Sequence, residues 1–390
     1  MKKRLYSLIL LLFVILVCGC SKESKKEPQT LIYNSNAPFT LYGSISLEQQ
    51  IKTSDMTGLY KLQKLPLSGI YPVRNYLAKK IAFSFDVKPS ITPDFVQTNA
   101  KPNSNKSHVI IDASGFFTTF TTPPKKVAVL SSSYVQVWQD AGGVVSITVS
   151  ESINRGFLKK EEITLVGNGT GKDINVERLL KLEPDLVILT NDFPEHIELA
   201  DTLRDKNIKT LLFQVDNFLD YLSMLKSCTT ILEKQDRYQT YGSEILNTVE
   251  RTMVESINQK KPPKVLLLNA SLQEIHIKST DDFVGEMLND LGAINIASSS
   301  SFQSDVLTPE NLSYSNIDQI FISTMGDEVE EIKQFVEQEF LKNPSYQNLK
   351  AIKENQCYFL PEEWFSHKPN KNWGKAYEYL ANLLYPKESP

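Results

Sequence analysis

From about residue 107 onward, short runs of apolar residues alternate with patterns typical of amphipathic helices. The run Val127–Leu130 follows two prolines and precedes three serines, which predicts a buried strand that ends at the start of a helix. The other strand-like runs are 144–148, 186–189 and 211–215, and the helical patterns between them are 176–182 and 197–203. Strands that alternate with helices predict an α/β fold in which a parallel sheet is covered on both faces.

A longer helical pattern follows these elements. Large apolar residues recur at helical spacing from Tyr238 to Ile257, and the pattern ends at Pro262-Pro263. Only one stripe of this helix is apolar, and the helix lies between two α/β regions. We therefore expect a rigid connecting helix and assign it to residues 236–261.

The sequence after this helix repeats features of the sequence before it. A Pro-Pro-Lys segment leads into a buried strand both at 123–130 and at 262–268. The residues that recur at the same spacing are Glu177, Leu179, Asp185 and Val187 in the first part and Glu310, Leu312, Asp318 and Ile320 in the second. The repetition predicts two similar lobes, at 107–235 and 262–390, on either side of the connecting helix.

The first residues have the pattern of an export signal. Lys2-Lys3-Arg4 precede an apolar run, Leu5–Val17, that is shorter than the roughly 20 residues of a membrane-spanning helix. The segment Val17-Cys18-Gly19-Cys20 resembles the lipobox of bacterial lipoproteins. That resemblance implies a signal peptide at 1–19 and acyl chains, such as palmitate, on Cys20, which would anchor the chain to the extracytoplasmic face of a cell membrane. An ordinary cleaved signal is the alternative.

The composition is that of a folded, mildly acidic protein with more than one domain. The 390 residues are 41% hydrophobic and 23% charged, and the formal net charge is −4. The chain lacks the clustered positive charge that phosphate contacts need, so a generic nucleic-acid binder is excluded. Residues 20–106 comprise the lipid anchor, a charged tether and an extension that shows no recognisable chemistry. Cys228 and Cys357 are expected in the core.

Three segments, 112–115, 123–127 and 177–188, carry a resemblance to a known family. They resemble the opening of periplasmic-binding-protein family 2, the substrate-binding proteins of ABC importers for iron siderophores, haem and cobalamin. The resemblance covers roughly residues 107–386. It implies a class III fold, with two Rossmann-like lobes joined by a single long helix and a ligand in the cleft between them. It also implies transport without catalysis, by a monomer that delivers its ligand to a permease dimer.

Candidate ligand-binding residues lie in the loops after the predicted strands, because ligands of open α/β sheets lie outside the carboxyl ends of the strands. They are Ser132, Ser133, Tyr134, Asn191, Asp192, Asn269, Thr324, Trp364 and Phe365. The two serines offer hydroxyls and helix-start amides to an anionic group, with simple capping as the alternative. Tyr134 and Trp364 offer flat apolar surfaces to a large ligand, with packing between the lobes as the alternative.

Two other side chains near these loops have candidate roles in ligand binding. Arg155 is the one nearby arginine, and a guanidinium group is suited to an anionic iron chelate. His367 has the chemistry to ligate iron or haem, although a lone histidine beside aromatic residues is more often structural. We expect no bound cofactor and no metal site of the protein's own.

Glu177 and Glu310 are the candidate docking residues, one in each predicted lobe. In the resembled family, matching glutamates contact arginines of the permease dimer. Glu177 projects away from the apolar stripe of its helix, so we expect it to be exposed to solvent. Ordinary solvated helix charges are the alternative for both residues.

Besides a surface adhesin or sensor without a transporter, which only the uninterpreted segment 30–106 supports, two other functions remain open from the sequence. A zinc- or manganese-binding protein would need several histidines with carboxylates, and the four histidines are far apart in the chain. A secreted surface hydrolase is the second alternative, and only a carboxylate pair of Asp192 and Glu363 would support it. The glycine-rich segment 167–173 departs from a phosphate-binding loop at two positions, so we interpret it as a flexible loop.

Overall fold

The computed structural model describes residues 29–32, 42–45, 87–90 and 108–386, with the exception of 260, 299–304, 313–315 and 327. The predicted signal peptide, the lipobox with Cys20 and the charged tether lie outside the described residues. In the extension, three short strands form an antiparallel sheet in chain order: β1 (Gln29–Ile32), β2 (Tyr42–Ile45) and β3 (Val87–Ser90).

A hairpin begins the continuous part of the structure, and its turn contains the first motif of the family resemblance. The hairpin consists of β4 (His108–Ile111) and β5 (Phe117–Phe120). Asp112 accepts hydrogen bonds from the hydroxyl of Ser114 at 2.6 Å and from Nη2 of Arg204 at 2.6 Å. It also accepts the backbone N–H of Leu212 at 3.1 Å. The aspartate therefore fastens the hairpin to the sheet that follows.

The first sheet has six strands, and the helices that accompany it define the first lobe. The strands are β6 (Val127–Val129), β7 (Ile147–Val149), β8 (Thr164–Asn168), β9 (Asp173–Ile174), β10 (Leu186–Thr190) and β11 (Thr210–Phe213). The helices are α1 (Ser132–Asp140), α2 (Ser150–Asn154), α3 (Val176–Lys181), α4 (Pro194–Asp205) and α5 (Phe218–Ile231). The strand order is β11-β10-β6-β7-β8-β9.

This sheet is mixed, although a wholly parallel one was predicted, because β9 pairs with β8 in the antiparallel direction. The segment interpreted as a flexible loop therefore forms part of a hairpin. The strand predicted at 144–148 begins later, at Ile147. Val144 is 72% exposed, and its carbonyl accepts a hydrogen bond from Nε1 of Trp138, so this residue belongs to the turn after α1.

The connecting element is a helical run from Gln235 to Ile257. It consists of α6 (Gln235–Tyr238), a π turn (Gln239–Ser243) and α7 (Glu244–Ile257). The π turn was not predicted, and the helix ends four residues before the predicted end at 261. The domain boundaries given above stay predictions.

The second sheet has five strands, and its helices define the second lobe. The strands are β12 (Lys264–Ala270), β13 (Ile275–Lys278), β14 (Ile294–Asn295), β15 (Gln319–Thr324) and β16 (Cys357–Phe359). The helices are α8 (Phe283–Asp290), α9 (Pro309–Leu312), α10 (Val329–Val336), α11 (Lys350–Lys353), α12 (Glu362–Phe365) and α13 (Trp373–Leu384). The order is β13-β12-β15-β16, with β14 also paired to β12, and β13 is antiparallel.

The repeated residues Asp185 and Asp318 make equivalent hydrogen bonds in the two lobes. Oδ2 of Asp185 accepts the backbone N–H groups of Lys125 and Lys126 at 2.9 and 2.8 Å, where the chain enters β6. Oδ2 of Asp318 accepts the N–H of Lys264 at 2.9 Å, at the start of β12. Each carboxylate thus fixes the first central strand of its sheet to the neighbouring strand.

The two lobes share one hydrophobic core, which includes buried residues of both sheets together with α5, α7 and α13. Phe218 of α5 joins the lobes, since its ring centroid lies 5.8 Å from that of Trp373 and 6.3 Å from that of Tyr377. A smaller core covers the outer side of each sheet. Among the described helices, none has the length and apolar character of a membrane-spanning segment.

Candidate functional site

In each sheet, successive parallel strands are added first on one side of the first strand and then on the other. The point where the side changes marks a crevice at the carboxyl ends of the strands. In the first sheet the parallel strands have the order β8-β7-β6-β10-β11, so this point falls between β6 and β10. In the second sheet it falls between β12 and β15. The loops at these points begin with Leu130, Asn191, Ser271 and Met325. We call the space between the loops of the two lobes the cleft.

On the first lobe, a cluster of hydroxyl groups surrounds one half-buried arginine beside the cleft, and Ser132 of this cluster is itself buried. Nη1 of Arg155 donates to Oγ of Ser132 at 3.0 Å and to Oγ of Ser133 at 3.3 Å. The hydroxyl of Ser132 in turn donates to Oε2 of Glu151 at 2.6 Å. The guanidinium carbon lies 4.5 Å from the centre of the Phe157 ring. The start of α1 and the end of α2 hold these side chains in place.

The electrostatics of this cluster combine one guanidinium group with two nearby carboxylates. Burial lowers the pKa of Arg155, whereas the nearby carboxylates of Glu151 and Glu362 raise it. Since Glu362 begins α12 of the second lobe, the carboxyl ends of the two sheets approach each other here. Within the described ranges Arg155 forms no ion pair with a carboxylate, although Glu151 is near. The positive end of the α1 dipole lies at the same place.

The loop after β10 is polar and is held by its neighbours. Asn191 Nδ2 donates to Oε1 of Gln214 at 3.1 Å, and the hydroxyl of Thr190 donates to Oδ2 of Asp192 at 2.9 Å. Asp192 is exposed and Asn191 is half-buried, so both predicted residues present polar atoms at the edge of the cleft.

His196 supports this loop and has no nitrogen left for a metal. Its Nδ1 accepts the N–H of Thr190 at 3.1 Å, and its Nε2–H donates to the carbonyl of Gly171 at 2.7 Å. Burial lowers the pKa of His196, which keeps the ring neutral. Gly171 has φ +105, and a Cβ there would lie 2.2 Å from the carbonyl oxygen of Leu130, so the close approach requires glycine.

Tyr134 is corrected from a ligand-contact residue to a core residue. Its ring is buried and meets Phe213 edge-on, with 6.3 Å between the ring centroids. Its hydroxyl lies 3.2 Å from Oγ1 of Thr190 and 3.2 Å from the carbonyl oxygen of Phe213, to which it donates. The aromatic residue thus packs behind the cleft wall and offers no face to a ligand.

On the second lobe, two more predicted contact residues are buried. Phe365 lies in the shared core, and the buried hydroxyl of Thr324 lies 3.3 Å from that of Ser366. Both are corrected to supporting roles. Asn269 is half-buried and donates to Oγ of Ser323 at 2.9 Å. Trp364 is also half-buried, and its ring centroid lies 5.9 Å from that of Tyr379.

The sequence interpretation missed the apolar surface of the second lobe. Met325 is 58% exposed directly after β15, and Leu272 is also exposed in the turn after β12. Both follow a buried strand at the carboxyl edge, which is the signal that would have identified them. Together with Trp364 they add apolar side chains to the second wall, which also carries Glu362 near Arg155.

Metal-ligating side chains are dispersed. His108 pairs with Glu233 at 3.4 Å, His276 lies between Glu274 and Asp305, and His367 lies 3.8 Å from Glu362. Within the described ranges, no group of three or more histidine, cysteine, aspartate or glutamate side chains has the geometry to hold a metal ion. His367 is partly exposed, and its candidate role toward iron stays a prediction.

The predicted docking residues lie on short helices that precede central strands. The side chain of Glu177 is 80% exposed in the first turn of α3, and its Oε1 lies 2.5 Å from Nζ of Lys181. Glu310 lies in α9, and its side chain is not among those that the structure describes.

A second cavity lies away from the cleft, between α7 and α13. It has a volume of about 320 Å³ and contains an ion pair of 2.9 Å between Arg251 and Glu378. Other lining residues are Glu255, Gln259, Asn382 and Tyr385.

Two α/β sheets with adjacent carboxyl edges, a helical connection and a cleft between the two lobes define a two-lobed solute-binding protein. The chain belongs to the periplasmic binding protein family, whose model matches residues 127–364. These are binding proteins for transport, so the chain is a binding protein and not an enzyme.

Individual relatives agree with this assignment. The high-affinity heme uptake system protein IsdE of Staphylococcus aureus (strain bovine RF122 / ET3-1) is 27% identical over 221 residues, which cover 56% of this chain and 73% of the relative. The structure of S. aureus IsdE complexed with heme matches with a TM-score of 0.54 at 18% identity, over 67% of this chain and 98% of that one. The petrobactin-binding protein YclQ of Bacillus subtilis matches with a TM-score of 0.57 at 17% identity, over 72% and 100%. The two structural matches show a shared fold.

Proposed function

We propose that this chain is the lipid-anchored, extracytoplasmic binding component of an ABC importer. It binds haem, a ferric siderophore or a cobalamin-like ligand in the cleft and delivers it to a permease dimer. Its class III architecture is part of this proposal, supported by the helical run between the two sheets. The names of the relatives support the ligand class, since one is a heme uptake protein and another binds petrobactin.

The observation that carries the proposal is the contrast between the two cleft walls. Arg155, with the hydroxyls of Ser132 and Ser133, forms a half-buried cation; Glu151 and Glu362 are near it, but neither forms an ion pair with it among the described residues. On the second lobe, Met325 is exposed directly after β15 and Trp364 is half-buried in α12. Haem and many ferric siderophores combine a large apolar or aromatic body with negatively charged groups, so they match both walls. The charged groups would bind Arg155, and the body would lie toward the second lobe.

The test is a titration of residues 21–390 with hemin, ferric petrobactin and cyanocobalamin, with intrinsic tryptophan fluorescence as the readout. We expect one of them to bind, and we expect Arg155→Ala to weaken that binding about 10- to 100-fold. A charge-assisted hydrogen bond contributes roughly 1.5–3 kcal/mol, which corresponds to this range.

The matched control is Arg178→Ala, because Arg178 is an exposed arginine on α3, away from the cluster. It should leave the affinity unchanged. The proposal is wrong if the parent chain binds none of the three compounds, and the role of Arg155 is wrong if both variants lose affinity equally.

The docking role of Glu177 and Glu310 is also part of the proposal. Glu177 is exposed, and its ion pair with Lys181 contributes only about 0.2–0.5 kcal/mol, so exchange for a permease arginine costs little. Exposed charges of this kind provide orientation on a partner more than affinity.

A further inference from the structure

A short segment of the second lobe crosses to the first lobe beside the cleft. We call residues 367–372, between α12 and α13, the strap. Three of its side chains contact the first lobe. Lys368 Nζ donates to the carbonyl of Asp216 at 3.4 Å. Asn370 reaches α1, and Lys371 Nζ lies 3.8 Å from Oδ1 of Asp140 at the other end of that helix. The strap is therefore a link between the lobes in addition to the connecting helix.

Asn370 makes the best-defined of these contacts. Its Nδ2 donates to the carbonyl oxygen of Ser133 at 3.0 Å and to Oε1 of Gln136 at 2.9 Å. The residue is 1% exposed, so both hydrogen bonds are shielded from water. Its φ of +52 lies in the left-handed region, which asparagine and glycine tolerate better than other residues. A conformation of this kind indicates a position that the surrounding structure fixes closely.

Ser133 connects this contact to the cleft. Its hydroxyl accepts a hydrogen bond from Arg155 within the first lobe, while its carbonyl accepts one from Asn370 of the second lobe. The strap directly follows α12, which carries Trp364 on the opposite wall. The backbone around Asn370 thus joins the apolar wall to the start of α1 over a few residues.

We infer that Asn370 is a positioning residue that holds the two cleft walls at a fixed separation, so that a ligand enters a preformed cleft. The inference rests on the proposed function for its ligand, but the separation of the lobes can be measured without one. We expect that loss of the two hydrogen bonds of Asn370 increases the movement of the first turn of α1 relative to α12. The shared core, which includes Tyr134 of α1 and Phe365 of α12, also holds the lobes together, so Asn370 adds a polar contact to an apolar one.

Three variants separate the hydrogen bonds from the backbone conformation. Asn370→Gly keeps the left-handed conformation and removes both bonds. Asn370→Asp keeps the shape of the side chain but replaces the donor with an acceptor. Asn355→Gly is the matched control, because Asn355 also has a positive φ, of 54, and is exposed in the turn after α11.

The readout is the distance between spin labels on the two lobes, measured by double electron–electron resonance. Glu198→Cys on α4 and Glu331→Cys on α10 are exposed label sites. The labels are placed in the chain after its signal segment, with Cys20→Ser and Cys357→Ala. Cys228 is fully buried and stays unlabelled.

We expect one narrow distance distribution for the parent and for Asn355→Gly. Asn370→Gly and Asn370→Asp should both give a broader one. Addition of Gln136→Lys to Asn370→Asp supplies an opposite charge on α1 and should narrow the distribution again, which a general loss of stability would not explain. Thermal unfolding monitored by circular dichroism confirms that each variant is folded.

An unchanged distribution for Asn370→Gly would overturn the inference, and so would equal broadening by Asn355→Gly or a failure of Gln136→Lys to restore the narrow distance. In a parallel hemin and ferric petrobactin titration, Asn370→Gly should weaken binding about five- to tenfold, the loss expected for about one hydrogen bond. If the parent binds neither compound, the proposed function fails, while the distance measurement still decides the role of Asn370.

Discussion

The carboxyl group of Asp140 lies where a negative charge is unfavourable. Its side chain is 9% exposed, and it is the last residue of α1, where the helix dipole is negative. Its Oδ2 has no hydrogen-bond partner within the described part of the chain. Burial raises the pKa of Asp140 to about 6, while Lys371 and Arg237 lower it in part. The group is therefore partly protonated in mildly acidic solution.

This raised pKa has a consequence for stability. Between the unfolded pKa, near 4, and the folded pKa, about 6, the folded chain binds more protons, so its free energy of unfolding falls as the pH rises through this window. The loss from this group is at most about 3 kcal/mol, at 1.36 kcal/mol for each unit of pKa. Asp140→Asn should remove this part of the pH dependence, as measured by urea unfolding at pH 4.5, 5.5 and 7.

Asp205→Asn is the control for this prediction, because Asp205 is an exposed aspartate at the end of α4. Its pH profile should match that of the parent. If Asp140→Asn keeps the parent's slope between pH 4.5 and 7, the carboxyl group of Asp140 does not carry the effect.

At the level of single residues, the sequence identified candidate ligand-binding side chains as those that lie directly after the predicted strands. It selected Ser132 and Ser133, which the structure brings together with Arg155. It did not separate Tyr134 and Phe365, which are buried, from Met325, which is exposed. The reason is that an aromatic or apolar residue after a strand fits either a core or a cleft wall. Only the packing of the neighbouring elements decides between the two.

At the level of elements, buried apolar runs predicted β6, β10, β11 and β12 with small errors in their bounds. They did not predict that β9 pairs with β8, and β13 with β12, in the antiparallel direction. A strand pattern specifies a buried face but not a partner strand. The π turn at Gln239–Ser243 was also missed, since it inserts into a helix without interrupting the apolar stripe. The repeat of Asp185 and Asp318, in contrast, corresponded to the same hydrogen bonds in both lobes.

The two short helices α3 and α9 carry the proposed docking surface. We expect Glu177→Lys together with Glu310→Lys to abolish import in cells that rely on this chain, because the lysines would repel permease arginines. The affinity for the compound found in the titration should not change. Uptake of that compound in radiolabelled form and binding to the purified variant are the two measurements.

Glu195→Lys is the matched control, since Glu195 is an exposed glutamate in the first turn of α4. It should import at the parent's rate. A loss of ligand affinity in the double variant would show that the two glutamates support the fold or the cleft instead of docking.

At the level of the whole molecule, the internal repeat predicted two α/β units, and the structure has two sheets in an arrangement typical of the periplasmic binding protein family. The sequence did not predict that both units share one core through α5, α7 and α13, or that the strap adds a contact beside the cleft. The hydrogen bonds of Asn370 join residues that are more than 200 positions apart, and no local pattern encodes them.

The most direct test of the account is a crystal structure of residues 21–390 with the compound that binds in the titration. The account predicts ligand density in the cleft, with a charged group within hydrogen-bond distance of Arg155 and the body of the ligand against Trp364 and Met325. Density in the cavity between α7 and α13, or on the outer face of either lobe with an empty cleft, would contradict it.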